Sequence, residues 1–232
     1  MSINKIVETA KSFIGQGEIK GNQGFESAEF EALMKRIGWR IGWPWCALFG
    51  ELVLKLAYKG NAEIHAQLDK LCSASAVTTL RNFRNAGYKV STKATPGALA
   101  IWQSKRRGVK SWTGHVGVVV KVNKDYFETV EGNTGSGGER EGEIVAQRKR
   151  KYNFDVYNGL ELQGFIWPIG DQVADAEPWP FTTKVKGNTF RAWVNDEHPH
   201  VALEIDLDRT GSKDNSYIRK AYERLKEFYN TQ

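Results

Sequence analysis

The sequence has 232 residues, of which 41% are hydrophobic and 26% are charged, and this ordinary globular composition excludes disorder as the main state. Its 33 Lys and Arg exceed its 27 Asp and Glu, and the formal net charge of +6 favours a polyanionic partner. The longest apolar runs, Ala47–Ala57 and Val116–Val120, are well short of the roughly 20 residues that span a bilayer, so we expect no integral membrane segment.

Helical periodicity dominates the first part of the chain. Apolar residues recur at i, i+3 and i+4 spacing from Ile3 to Ile14 and predict an amphipathic helix that ends at Gly15. Four further helices are predicted over residues 26–37, 47–58, 61–71 and 74–86.

After Pro96-Gly97 the hydrophobic period changes from that of a helix to that of a strand. Strands are predicted over residues 98–103, 115–122, 126–131, 143–150 and 160–167. Because the helices come first and the strands follow, we expect an α+β domain with N-terminal helices packed on an antiparallel β-sheet.

The last quarter of the chain differs in composition. Prolines and acidic residues concentrate between Pro168 and Lys186, which is typical of a linker. We therefore divide the chain into a domain over residues 1–170, a linker over 171–186 and a small C-terminal module over 187–232. We expect that module to be helical, with its helix at about residues 215–229.

Of the two cysteines, Cys46 has the more distinctive setting. Pro44 suits the first turn of a helix, so we expect Cys46 in the opening turn of the helix that follows. Free N–H groups and the helix dipole favour a thiolate there, and the same N–H groups can bind a substrate oxyanion. A buried structural thiol is the alternative for Cys46 and the preferred interpretation for Cys72. A bridge between the two would silence the nucleophile.

His115 begins the most apolar strand and has a glycine two residues beyond it on the same face. A histidine on a strand is often only structural, so a catalytic role for His115 also requires a partner for the imidazole on the neighbouring strand. If residues 123–125 form a three-residue hairpin loop, paired positions sum to 248, and His115 faces Asn133 while Gly117 faces Glu131. The hairpin then brings an amide or a carboxylate to the imidazole. A nucleophile, a base and an orienting group form the set needed for covalent acyl transfer.

Four short motifs now carry a resemblance. The segments around Cys46, Pro96-Gly97, His115 and Glu131-Gly132-Asn133 resemble, in order and spacing, the cysteine, histidine-dependent amidohydrolase/peptidase (CHAP) family over about residues 1–170. Members are papain-like enzymes that cut peptidoglycan, often as phage endolysins, and NlpC-type peptidases share the layout. The resemblance implies a papain-like domain, with Cys46 as nucleophile and His115 as general base.

The same resemblance implies that Glu131 and Asn133 orient His115. The family pattern favours Glu131 and the hairpin register favours Asn133, so both stay open. Many members have Gly-Asp where this chain has Gly97-Ala98, and many have Gln where it has Trp45. The second departure leaves a side-chain oxyanion donor unassigned.

Other signals are weaker. Trp43, Trp45 and Trp112 are candidate substrate-binding residues, with burial in the core as the alternative for each. Basic clusters at 105–110 and 148–151 suit an anionic wall, but they usually mark solvated loops or strand ends, and no nucleic-acid-binding motif accompanies them. The calcium-like loop that begins at Asp206 lacks its final Glu, so we expect neither a metal nor a cofactor.

These features together predict a peptidoglycan hydrolase that cleaves an amide bond of the stem peptide or cross-bridge through a cysteine acyl-enzyme. Two alternatives stay open, a non-catalytic wall-binding or phage structural protein and an intracellular cysteine protease or acyltransferase. The N-terminus lacks the apolar segment of a signal peptide. We therefore expect a product that is made in the cytoplasm and reaches the wall through a holin or a secretion apparatus. We also expect the protein to be a monomer.

Overall fold

A computed structural model describes residues 3–106, 109–135, 142–154, 156–157, 159–169, 181–185, 188–195 and 198–206. The chain divides into two units, Met1–Ala176 and Glu177–Gln232. Within the described residues, no helix is both long enough and apolar enough to cross a membrane.

Five helices lie in the described part of the first unit, where the apolar periodicity predicts them. They are α1 (Ile3–Ser12), α2 (Ala28–Arg36), α3 (Cys46–Ala57), α4 (Ala62–Leu71) and α5 (Ala76–Asn85). Ser27, Asn61 and Ser75 cap α2, α4 and α5, each accepting a hydrogen bond from the backbone N–H three residues on. Trp45, at the same position before α3, makes no side-chain cap.

The strands of the first unit form a small hairpin and one larger antiparallel sheet. They are β1 (Glu18–Ile19), β2 (Gly24–Phe25), β3 (Val90–Ser91), β4 (Leu99–Arg106), β5 (Val109–Val122), β6 (Tyr126–Thr134), β7 (Ile144–Lys151), β8 (Val156–Tyr157) and β9 (Leu160–Ile166). The larger sheet has the order β3-β9-β4-β5-β6-β7, with β8 paired to β9. The α+β fold with an antiparallel sheet is therefore confirmed.

The larger sheet separates two hydrophobic clusters, because successive side chains on a strand point to opposite faces. Leu99, Val116 and Val130 pack in the cluster that contains the helices. Trp102 and Phe127 lie in the cluster on the other face. His115 pairs with Trp102 across β4 and β5, and the two side chains lie on the same face.

The β5–β6 hairpin differs from its predicted form, although the register near His115 is close to the predicted one. Val122 pairs with Phe127, not with Tyr126, so the loop is one residue longer than expected. A β-bulge between Val119 and Lys121 then compensates, and Val118 pairs with Val130. These numbers sum to 248, and Glu131 therefore stays on the face of the sheet that carries His115.

The second unit contains strands where we expected a linker and a helical module. Strands β10 (Phe181–Val185), β11 (Asn188–Asn195) and β12 (His198–Asp206) form a three-stranded antiparallel sheet. Strand β10 occupies the end of the segment predicted as a linker over 171–186, and β11 and β12 occupy the start of the module predicted as helical. β-propensity and strand pairing outweigh the local signals there. The helix predicted at about 215–229 lies outside the described residues.

Candidate active site

Helix α3 presents Cys46 at its first residue. Trp45 precedes it as the N-cap residue, and the Phe49 N–H donates the first helical hydrogen bond to the Trp45 carbonyl at 2.8 Å. Cys46 therefore lies in the opening turn, as expected, although Pro44 precedes the N-cap rather than standing inside the helix. The thiol is buried, with 6% of the residue exposed.

Trp45 fixes the start of α3 from inside the core. The residue is fully buried, and its ring packs edge-on against Phe25 and Phe49. Its indole N–H donates to the buried Glu18 carboxylate. The structure thus corrects the expectation that Trp45 binds substrate, because an indole enclosed in this way has no face left for a ligand.

The neighbouring strand is shaped to receive this helix. A Cβ atom on Gly132 would lie 2.4 Å from the Trp45 ring and 2.8 Å from Cβ of Phe49. Gly132 follows Glu131 directly, so the close approach of α3 to β6 also brings Cys46 toward the polar residues at the end of that strand.

His115 and Glu131 form a buried pair across β5 and β6. Nε2 of His115 lies 2.9 Å from Oε2 of Glu131, and both side chains are fully buried. Gly117 makes room for this pair, since a Cβ atom there would lie 2.8 Å from Cγ of Glu131. The carboxylate is therefore the group that holds one ring nitrogen of the histidine.

The other ring nitrogen, Nδ1, is left for the Cys46 thiol. Nδ1 is buried and makes no hydrogen bond of ordinary geometry within the described residues. The Cys46 side chain is nevertheless close enough to act on the pKa of His115 through its charge and through a hydrogen bond. Hydrogen bonds between a nucleophile and its base often tighten only when substrate binds, so this proximity suits the two roles.

The pKa of His115 reflects this surrounding. Burial alone would lower it, but the charge and hydrogen bond of Cys46, followed by those of Glu131, raise the pKa to about 9. The imidazole is therefore protonated at neutral pH when Cys46 is a thiolate. This is the ionic form in which a thiol attacks a carbonyl carbon.

Glu131 is held by more donors than His115 alone. Thr129 donates to it at 2.5 Å, and the Arg150 guanidinium donates to both of its oxygens, with Nε 2.7 Å from Oε1. Burial would raise the pKa of Glu131, but His115 and then Arg150 hold it well below its usual value. Glu131 is therefore ionised throughout the range in which the site can work.

Asn133 occupies a different place from the one that the register suggested. It has a left-handed backbone, with φ of 54°, at a break in the β6–β7 pairing. The residue is 1% exposed, and its Nδ2 has no hydrogen-bond partner within the described residues. Of the two candidates for orienting His115, Glu131 makes the hydrogen bond.

Two of the candidate substrate-binding tryptophans are accessible. Trp43 is 41% exposed and lies beside the Arg40 guanidinium, and Trp112 on β5 is 79% exposed. Cys72 lies elsewhere, at the end of α4, and burial raises the pKa of its thiol. Among the described residues, no group of three or more His, Cys, Asp or Glu could hold a metal ion.

Arg150 is the site residue that the sequence analysis missed. It belongs to a basic run that we assigned to solvated surface, and it lies on β7, whose pairing with β6 we did not predict. The sequence of that run carries no signal that distinguishes Arg150 from its basic neighbours, because its partial burial, which calls for an anionic partner, is visible only in the fold.

These features define a class. A cysteine at a helix N-terminus that faces a histidine and a carboxylate on two adjacent strands of an antiparallel sheet has the layout of a cysteine hydrolase.

A comparison with known families agrees with this layout. Residues 38–133 match the family model of the CHAP domain, the family that the sequence motifs resemble. Such domains are typically hydrolases of amide bonds, in general of peptidoglycan. No curated protein and no solved structure matches the chain significantly.

Proposed function

We propose that this protein is an endolysin-like peptidoglycan hydrolase that cleaves an amide bond of the stem peptide or cross-bridge through an acyl-enzyme on Cys46. The observation that carries the proposal is the buried relay in which Glu131 binds His115 at 2.9 Å and His115 faces Cys46. The CHAP match supports the substrate class.

The proposed reaction starts from the Cys46 thiolate and the His115 imidazolium. The sulfur attacks the amide carbonyl carbon, and His115 donates its proton to the leaving amine as the C–N bond breaks. Water then attacks the thioester with His115 as base, which releases the carboxylic acid and restores the thiol. Glu131 keeps the imidazole oriented through both steps.

The carbonyl oxygen needs hydrogen-bond donors while it carries negative charge. The backbone N–H groups at the start of α3 are suitable donors, because the Trp45 side chain does not cap them. The buried Nδ2 of Asn133 is a further candidate, and it also remains the second candidate for supporting His115. No Gln precedes the cysteine, so these groups would replace the side-chain donor that many relatives carry.

The exposed tryptophans and the positive net charge support the cell wall as the substrate. We propose that Trp43 and Trp112 stack on the sugar or peptide of the wall, and that the net charge of +6 favours its anionic polymers. We further propose a papain-like arrangement, a monomeric enzyme, and access to the wall through a holin or a secretion apparatus.

Purified cell wall provides the test. Wild-type protein should release new amine termini, and mass spectrometry of the fragments should identify the bond that is cut. Cys46→Ala should release none, because the nucleophile is gone. Cys72→Ala is the matched control and should retain full activity.

Two results would contradict the proposal. Equal hydrolysis by Cys46→Ala and wild type would remove Cys46 as the nucleophile. Binding to wall without new termini for either protein would instead favour a non-catalytic wall-binding role for the same fold.

A further inference from the structure

The charges around the candidate site alternate in sign along a line of four groups. Cys46 lies on α3, His115 on β5, Glu131 on β6 and Arg150 on β7. In the reactive form the first is a thiolate, the second an imidazolium, the third a carboxylate and the fourth a guanidinium. Without the guanidinium, the remaining three would place a net charge of −1 in a buried site, which is costly.

The Arg150 guanidinium is placed to neutralise this excess negative charge. Its Nε and Nη2 contact the two oxygens of Glu131 in the forked geometry that arginine forms with carboxylates. Its Cζ lies 5.2 Å from the centre of the Trp102 ring, and the Trp102 ring centre lies 6.0 Å from that of His115. Trp102 therefore packs against both cationic side chains and limits where the guanidinium can move.

The position of Arg150 separates it from the family motif. The CHAP match ends at residue 133, whereas Arg150 is 17 residues further along the chain, on the edge strand β7 of the larger sheet. The contact of the guanidinium with Glu131 is thus a feature of this chain that the family match does not include.

We propose that Arg150 is a positioning residue that holds Glu131 ionised and directed at His115, and that it thereby stabilises the reactive thiolate of Cys46. This inference rests on the proposed function for its biological meaning. Its physical content can be measured without any substrate, because the thiolate reacts directly with iodoacetamide.

The expected effect has a definite sign. Arg150 lowers the pKa of Glu131 and supplies positive charge near the relay, so removing it favours the protonated, unreactive site. The acidic limb of the Cys46 alkylation rate against pH should therefore move to higher pH in Arg150→Gln. We expect a shift of about one unit, which is about a tenfold slower alkylation on the acidic limb.

The experiment measures alkylation of Cys46 by peptide mass spectrometry between pH 4 and 9, which also distinguishes it from Cys72. Lys151→Gln removes an exposed charge from the next position of β7 and should leave the profile unchanged. Arg150→Lys retains the charge without the fork and should shift the limb in the same direction by less. It also provides the test if Arg150→Gln does not fold.

Two results would overturn the inference. One is a folded Arg150→Gln with the wild-type profile. The other, should that variant not fold, is an Arg150→Lys with the wild-type profile. Failure of the proposed function is distinguishable, because it would appear as wild-type protein that does not hydrolyse wall while the alkylation profile still depends on Arg150.

Discussion

His115 and Glu131 illustrate how two buried ionisable residues can both stay charged. Burial alone would lower the pKa of the histidine and raise that of the glutamate, yet both shift the opposite way. The imidazolium and the carboxylate stabilise each other. The Cys46 thiolate lies next to the imidazolium and the Arg150 guanidinium next to the carboxylate, so positive and negative charges alternate over the four residues. The pair is therefore a property of four residues together, and losing one of them leaves a buried charge uncompensated.

The pH dependence of activity follows from the histidine. The pKa of His115 is raised to about 9, so the imidazolium that protonates the leaving amine is present below that value and lost above it. We expect the rate of wall hydrolysis to fall as the pH rises through about 9. Initial rates between pH 6 and 10, with circular dichroism to establish that the fold is retained, would check this. A rate that falls near pH 6.5, the ordinary pKa of histidine, would contradict it.

At the scale of the elements, the sequence predicts the helices and the site strands better than it predicts how the strands connect. Periodicity located α1 to α5, and the assumed register of the β5–β6 hairpin placed His115 and Glu131 on one face of adjacent strands. The loop of the β5–β6 hairpin was predicted one residue too short, because sequence alone does not reveal the β-bulge at Val119. The predicted register held only because the bulge offsets the longer loop.

Contacts between elements distant in sequence were harder to anticipate. The burial of Trp45 depends on Phe25, Glu18 and Gly132, which come from three separate elements, and no local pattern relates them. Arg150 required the register of β7 on β6. In both cases the residue type was ambiguous, and only tertiary packing decides whether a tryptophan or an arginine lies inside.

The packing of α3 on β6 gives a prediction for Gly132→Ala. The added Cβ would lie 2.4 Å from the Trp45 ring, and both Trp45 and Phe49 are fully enclosed, so neither can move aside without disturbing the core. We expect the free energy of unfolding to fall by about 1–3 kcal/mol, measured by urea denaturation. Wall hydrolysis should also fall, because Cys46 begins the displaced helix.

Gly87→Ala is the control variant, because an alanine there strains the backbone but clashes with no neighbouring side chain. Gly87 has φ of 82° and open space where its Cβ would be, so Gly87→Ala should cost only about 1–2 kcal/mol for the left-handed backbone and leave activity intact. If Gly132→Ala proved as stable and active as wild type, the close approach of α3 to β6 would be wrong.

At the scale of the whole molecule, the chemistry and the C-terminal sheet belong to different units. Each residue of the candidate relay precedes Ala176, while β10 to β12 follow Glu177. The three-stranded sheet contributes no residue to the candidate relay, which favours a binding role over a catalytic one. We propose that this module adds affinity for the wall.

A chain ending at Ala176 would test whether catalysis belongs to the first unit and wall affinity to the second. Because Cys46, His115, Glu131 and Arg150 all precede Ala176, we expect it to alkylate at Cys46 with the wild-type pH profile. Its sedimentation with purified wall should weaken, and wall hydrolysis should fall mainly at low wall concentration, where binding limits the rate. Loss of the alkylation profile in the shortened chain would show that residues 177–232 support the site itself. Unchanged sedimentation would show that the wall is bound by the first unit alone, where Trp43 and Trp112 are exposed.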